Sequence, residues 1–440
     1  MEIEELLPLW LEWEDLPALI EEQKIWTYGQ LARSVQQNIL ELKTVLAEGE
    51  CVGLKGGYSF ENIGRFFALL IHKATVVPYA GTNSAEWEQR TASAPVRAIW
   101  ESGLSLHLLP NTSIERGTPS GQWVLFSSGT TGKPKTVIHY FAEHLSHFSK
   151  RKPRKQRTLA LLLFDHIGGI NTLFQTLFSG GTLVVPAERT PEGIAICLRS
   201  RSIGVFPSTP SFLLMMVLQG LWKPEEWPHL RLVSYGTEPM PPKLLSELKS
   251  SSRHIRFVQT FGTSETGITK IVPSKLDPLA FFIDTHHTEW KVVEDELYLR
   301  SKTQGKPIDS QMESGTEMDL PWFKTGDRVS VLPDGSIRIQ GRIRPWMNVG
   351  GEKVYPAEIE EVIVGLNGVY SCVVQGEPYP VLGTRIIATV VIKDGPDLEA
   401  QKVRIRKATL ELLEPYKVPA RWLWKTELSM TDRLKASSVG

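Results

Sequence analysis

Over its first 340 residues the sequence alternates short β-rich runs with helical stretches, and that alternation most restricts the fold. Residues 75–78, 123–126, 159–164, 182–185, 231–235 and 256–260 read as strands from their apolar and β-branched content. Residues 60–71 read as an amphipathic helix, and 171–178 and 242–249 as helices between strands. Strands and helices in turn favour an α/β domain with substantial parallel pairing. Near residue 320 the pattern changes. Residues 328–332 and 336–340 alternate about Asp334-Gly335, a hairpin signal. After Gly341 come a helix at 357–366, strands at 370–375 and 386–393, and a long helix at 398–414, with Asp397 as its N-cap and Pro415 as its stop. A single core stops growing at about 250–300 residues. The expectation is an α/β chain: a large N-terminal domain with mixed and parallel sheets, residues 1–342, and a small α+β C-terminal domain, residues 343–440.

Charge excludes several function classes. Lys plus Arg number 49 and Asp plus Glu 49, so the basic excess of a nucleic-acid binder is missing. The six basic residues among positions 150–157 read as a solvated loop before a strand. Cys51, Cys197 and Cys372 lie far apart, with no zinc-type spacing, so a reducing compartment is expected. The acidic N-terminus is unlike a signal peptide, and no apolar run approaches the roughly 18 residues of a membrane span. The expected location is cytoplasmic, with no nucleic-acid or membrane partner. His139, His144 and His147 lack a carboxylate or thiol at metal-site spacing and read as helix-face residues.

The densest chemical signal is Ser127-Ser128-Gly129-Thr130-Thr131-Gly132-Lys133-Pro134-Lys135, directly after a strand. Its glycines let the backbone turn tightly, and its hydroxyls and lysines suit a polyphosphate. The GxxxxGK[ST] spacing of a Walker loop is absent. A surface turn is the plain alternative reading, and the crowding of hydroxyls, glycines and lysines outweighs it.

This loop resembles the phosphate loop of the adenylate-forming superfamily, which includes acyl- and aryl-CoA synthetases, adenylation domains and luciferases. Four further segments resemble that family's motifs in the expected order. They are Gly236-Thr237-Glu238-Pro239 on the adenine side, the aromatic-Gly-x-Thr-Glu-like Phe261-Gly262-Thr263-Ser264-Glu265-Thr266-Gly267 with Ser264 in the Thr position, the ribose-binding Thr325-Gly326-Asp327, and Gly341-Arg342 through Glu360. The resemblance implies an ATP-dependent ligase that activates a small carboxylic acid to an acyl-adenylate. The acyl group then passes to the thiol of CoA or of a carrier-protein phosphopantetheine.

By resemblance, Ser127, Thr130, Thr131 and Lys135 would hold the departing phosphates, and Glu265 would bind Mg²⁺, since a hard cation on phosphate oxygens needs a carboxylate. Asp327 would accept both ribose hydroxyls, and Arg342 would contact ribose and phosphate. Lys435 matches a family lysine at the reacting carboxylate, although Leu434 replaces the usual glycine. Arg344, followed by Pro345, stands at the hinge about which the small domain rotates in the family.

Asp165 and His166 fall beside the family's acid pocket, with Phe212, Ser234, Tyr235, Gly236, Gln259 and Thr260 as further walls. A buried Asp165 needs a partner, either His166 or a substrate amino or hydroxyl group, so aryl and aminoaryl acids are favoured and acyl acids remain open. The glycine-rich stretch 349–358 favours CoA as acceptor, with a carrier protein as the alternative. A binding protein that has lost turnover is the other class to exclude; Leu434, Arg344-Pro345 and Thr136 are its support.

Overall fold

The computed structural model describes residues 1–101, 103–104, 106–109, 121–127, 135–148, 152–307, 320–343, 347–379, 383–393 and 395–426. Two seven-stranded sheets organise the larger part of the chain. In the first, Arg256–Gln259, Leu232–Tyr235, Val205–Ser208, Arg157–Leu159, Thr182–Val185 and Pro17–Glu21 run parallel, and Lys24–Thr27 closes the edge antiparallel. In the second, Gln122–Ser127, Thr75–Tyr79, Cys51–Lys55 and Val96–Glu101 run parallel. Its edges, Lys135–Tyr140 with Lys306–Pro307 on one side and Leu106–Leu108 on the other, are antiparallel.

One apolar core joins the two sheets. It draws Leu19 and Leu183 from the first and Val52, Val76 and Leu125 from the second, around the rings of Phe66, Phe67, Phe141, Phe164, Phe174 and Phe178. The Phe60–Ile71 helix supplies two of those rings and is buried from Asn62 through Leu70. The amphipathic expectation therefore gives way to a helix enclosed on all sides. Its one cation, Arg65, satisfies two carbonyls, Glu101 O at 2.8 Å and Leu104 O at 2.9 Å, as a buried charge requires.

A six-stranded antiparallel sheet follows, in the order Ile271–Pro273, Ala280–Ile283, Ile337–Arg342, Phe323–Val331, Glu296–Ser301, Thr288–Val293. It contains the hairpin expected about Asp334-Gly335, with Gly335 at φ +82°. The smaller C-terminal domain has its own core of Val354, Ile359, Val374, Ala388, Val390 and Ile405. It comprises the Pro356–Val364 and Leu398–Leu412 helices and a sheet of Val369–Tyr379, Gly383–Ile392 and Arg421–Lys425. It rests on the Pro242–Ser251 helix, where the Tyr370 hydroxyl donates to Glu247 Oε2 at 3.1 Å and Lys243 Nζ lies 4.3 Å from the Tyr370 ring centre. Among the described residues no helix is long and apolar enough to cross a membrane.

One local expectation is corrected, and another is met in position, Asp397 being the N-cap of the Leu398–Leu412 helix. The strand expected at 159–164 is confined to Arg157–Leu159; after Ala160 N–H donates to Val184 O the chain leaves the ladder to enter the Ile167–Leu177 helix. Asp397 precedes its helix without a side-chain cap; its carbonyl accepts from Gln401 N–H at 2.9 Å.

Gly169 sits where the Ile167–Leu177 helix crosses its own entry segment: a Cβ there would lie 1.8 Å from Leu163 O. Gly169→Ala is expected to lower the unfolding free energy by about 1–3 kcal/mol or more, as overpacking does. The urea midpoint measures it.

Candidate active site

Parallel strands end together, and ligands of α/β sheets bind outside those carboxyl ends. Here the ends of Val205–Ser208, Leu232–Tyr235 and Arg256–Gln259 open onto a cleft. Pro207, Ser208, Ser234, Gly236, Thr237 and Thr260 line it from the strands, Ile167, Gly168, Asn171 and Thr172 from the helix, and Phe261, Gly262 and Ile268 from a short hairpin. Ser234, Gly236, Thr237, Thr260, Phe261 and Gly262 were expected at a site on sequence grounds. Asn171, Thr172, Ser208 and Ile268 were not; their motif-free segments gave no local signal.

Two loops touch in this cleft because one carries no side chain. A Cβ on Gly236 would lie 2.3 Å from Thr260 Oγ1 and 2.7 Å from Thr260 O, while Thr260 N–H donates to Tyr235 O at 2.7 Å. Thr237 then holds φ +70°, an outlier for a β-branched residue. Glu238 is tethered outside the cleft wall: its Oε2 accepts from Ser211 N–H at 3.1 Å and Ser211 Oγ at 2.6 Å.

The Glu265 hairpin, Phe261–Thr263 paired with Gly267–Thr269, closes through Thr263 Oγ1, which accepts from Glu265 N–H at 3.2 Å and Thr266 N–H at 3.0 Å. Asp327 and Arg342 face each other across the Phe323–Val331 and Ile337–Arg342 pairing, with Arg342 Nε 3.2 Å from Asp327 Oδ1. Asp327 is 8% exposed, and its N–H donates to Thr325 Oγ1 at 3.1 Å. Ser127 and Lys135 are partners at the ends of two antiparallel strands, which brings both ends of the phosphate loop together. Ser128, Gly129, Thr130, Thr131 and Gly132 lie outside the described residues, as do Arg344 and Lys435.

The acid-pocket expectations need correction. Asp165 does not line the cleft; its Oδ2 pairs with Arg90 Nη1 at 2.6 Å, both side chains almost wholly buried. Arg90 also bonds Glu86 and Pro78 O and lies over the rings of Tyr79 and Phe126. Arg90 is thus the partner of one oxygen of Asp165, while the buried Oδ1 has no hydrogen-bond partner among the described residues. His166 stands at the N-cap of the Ile167–Leu177 helix, its Nδ1 accepting from Gly168 N–H at 3.3 Å. Phe212 and Tyr235 are packed in the core around the first sheet, and Gln259 is not among the lining residues.

Of the histidines read as helix-face residues, His144 lies on the Phe141–Ser146 helix and His139 is corrected. His139 lies on a strand, 1% exposed, its ring stacked on Trp123, and its Nε2 is 2.7 Å from Ser264 O. His144 Nε2 lies 3.3 Å from His139 Nδ1. Burial pushes the His139 imidazole down to about 4, and burial with neighbouring rings pushes His144 well below the usual histidine range.

The family model described as AMP-binding enzyme matches residues 120–308, and that described as AMP-binding enzyme C-terminal domain matches 358–435. The chain belongs to this adenylate-forming superfamily of AMP-binding enzymes. A 2-succinylbenzoate–CoA ligase of Listeria monocytogenes is 27% identical, over 96% of this chain and 94% of that protein. The long-chain-fatty-acid–CoA ligase FadD13 of Mycobacterium tuberculosis is 24% identical, over 82% of this chain and 73% of that one. The crystal structure of the anthranilate CoA ligase AuaEII with anthranoyl-AMP superposes with a TM-score of 0.79 at 21% identity, over 99% of this chain and 97% of that one.

Two predictions follow from the buried polar groups. Arg90→Met leaves Asp165 unpaired in the interior and is expected to cost about 3–5 kcal/mol in denaturant unfolding, with most of it regained in Arg90→Met/Asp165→Leu. His139 and His144 are neutral when folded and titrate normally when unfolded, so the unfolded chain binds more protons below pH 6.5. Stability is therefore full above about pH 6.5 and falls as pH drops toward about 4, each ring contributing up to about 1.4 kcal/mol per pH unit. Equilibrium unfolding at a series of pH values measures the slope.

Proposed function

We propose that this protein is an AMP-forming acid–thiol ligase that activates an aryl carboxylic acid with ATP and transfers the acyl group to CoA. The observation that carries this reading is the cleft at three parallel strand ends, which adjoins the Gly236–Thr260 contact and is walled by the hairpin bearing Glu265. Leu162, Ile167, Phe261 and Ile268 offer apolar walls, and no charged residue lines the cleft among those described. The side chains of Asn171 and Ser234 make no hydrogen bond among the described residues and suit a hydrogen-bonding substituent on the acid. Asp165 lies outside the cleft lining with its Oδ2 on Arg90, and the neutral polar residues that do line the cleft set no preference for an amino group over a hydroxyl. The aryl and aminoaryl acids named for the relatives support the same substrate class.

In the first half-reaction an oxygen of the acid carboxylate attacks the α-phosphorus of ATP and pyrophosphate leaves. In the second the CoA thiol attacks the acyl carbon and AMP leaves. Asp327 accepts the ribose hydroxyls, and Arg342, held beside it, supplies positive charge toward ribose and phosphate. Lys435 and the phosphate-loop hydroxyls and lysines act on the reacting carboxylate and the departing phosphates. Their contribution is positioning and charge stabilisation.

No cluster of three or more ligating side chains exists among the described residues. A lone carboxylate such as Glu265 suits Mg²⁺, which keeps its waters and binds through one or two carboxylates and the substrate's phosphates. When bound, the ion neutralises phosphate charge. Residues 343–440 rotate about Arg344 between the half-reactions, which requires the Tyr370 contacts with Lys243 and Glu247 to break. The three free, buried cysteines are in keeping with a reducing cytoplasm.

Acid-dependent pyrophosphate release across aryl, hydroxyaryl, aminoaryl and fatty acids, with and without CoA, tests the reading. Sustained turnover that needs CoA and peaks on a substituted aryl acid is expected. A single burst unaffected by CoA would assign a carrier-protein acceptor, and no release with any acid would support the non-catalytic class. Glu265→Gln is expected to lower kcat by about 10²–10³-fold with the acid KM little changed.

A further inference from the structure

The turn that carries Glu265 has three consecutive carbonyls, and each is held by a different donor. Ser264 O faces His139 Nε2 at 2.7 Å, Glu265 O accepts from Gly305 N–H at 2.7 Å, and Thr266 O accepts from Thr303 Oγ1 at 3.2 Å. Two of these donors come from the segment just after the Glu296–Ser301 strand. The third, His139, comes from the Lys135–Tyr140 strand, 125 residues away in sequence. The same strand packs against Gly305, where a Cβ would meet Val137 Cγ1 at 2.3 Å and His139 Cε1 at 3.1 Å.

Hydrogen-bond logic fixes the histidine pair. A carbonyl only accepts, so His139 Nε2 carries a proton toward Ser264 O; the ring also interacts with the Thr303 backbone, and in the neutral ring its Nδ1 is the acceptor. His144 Nε2, 3.3 Å from that Nδ1, is the donor that keeps the proton on the far nitrogen. Trp123 locks both rings, stacked with His139 at 5.4 Å and edge-on to His144 at 4.7 Å. His139 and Trp123 are nearly or wholly inaccessible to solvent and Ser264 is half-buried, so the bond to Ser264 O is made from the protected side of the turn.

We propose that His139 is a positioning residue for Glu265: its Nε2–H, oriented by His144 and Trp123, pins the Ser264 carbonyl and so fixes the turn from which the Glu265 carboxylate reaches the nucleotide. The assignment of Glu265 rests on the proposed function; the clamp itself does not. The shape of the ring alone is insufficient, because phenylalanine would keep the stack and remove the donor to Ser264 O. Glutamine places an amide nitrogen near the position of Nε2 and preserves the bond.

The experiment compares His139→Phe, His139→Gln and His144→Phe in the full chain with two readouts. One is amide hydrogen exchange at residues 264–268. The other is acid-dependent pyrophosphate release as a function of Mg²⁺ concentration. His139→Phe is expected to speed exchange in the turn, to lower kcat about 10²-fold and to raise the Mg²⁺ concentration for half-maximal rate, as misplacement of a catalytic carboxylate does. His139→Gln is expected to restore slow exchange and to stay within about threefold of the wild-type rate, with His144→Phe between them.

Wild-type exchange and kinetics in His139→Phe would overturn the proposal, as would a rate loss with the turn unchanged. If His139→Phe does not fold, His139→Gln decides: a loss as large as that of Glu265→Gln overturns the proposal. Should the wild type release no pyrophosphate with any acid, the functional reading fails alone, and exchange in the turn still tests the clamp.

Discussion

The site depends on the register of three parallel strands. Val205–Ser208, Leu232–Tyr235 and Arg256–Gln259 pair residue for residue, so their last residues stop at one level and their loops emerge side by side. Gly236 and Thr260 meet there at a distance that excludes a side chain, and the next residue, Thr237, has φ +70°. The cleft is therefore a consequence of the sheet, and the strain at Thr237 is sustained by the packing around it.

Buried polar pairs tie this edge to the rest of the molecule. Arg90 and Asp165 join the helix after the Thr75–Tyr79 strand to the entry of the Ile167–Leu177 helix, whose residues form one wall of the cleft. Arg90 also lies over Phe126, next to the start of the phosphate loop. The His139–Ser264 bond does the same work between the second sheet and the Glu265 hairpin. In a dry interior such groups are costly unless paired, so each pairing favours one relative placement of distant segments.

The strand–helix alternation, the α/β class and the smaller C-terminal domain were legible because periodicity and turn chemistry are local. Gly236, Thr237, Thr260 and Gly262 were expected only through the resemblance, from the adenine-side and aromatic-Gly motifs and the pocket walls it implies; the close Gly236–Thr260 approach was not itself legible. Asp165 was read correctly as buried and in need of a partner, but Arg90 lies 75 residues earlier and nothing local announces it. Phe212 looked like a pocket wall and proved to be core, since an aromatic at a helix start serves either role. His139 was read on the wrong element; its strand extends to Tyr140, and the short Phe141–Ser146 helix begins only afterwards. Asn171 and Ser208 face the cleft through topology alone.

The central claim is that the chain joins an acid to AMP before thiol transfer, and an isotope experiment addresses it directly. An aryl acid that supports turnover, labelled with ¹⁸O in both carboxylate oxygens, is converted with ATP and CoA, and the AMP is examined by mass spectrometry. Attack of a carboxylate oxygen on the α-phosphorus, followed by thiol attack at the acyl carbon, leaves one ¹⁸O in AMP and one in the thioester. Unlabelled AMP, or label recovered in inorganic phosphate alongside ADP, would contradict the account.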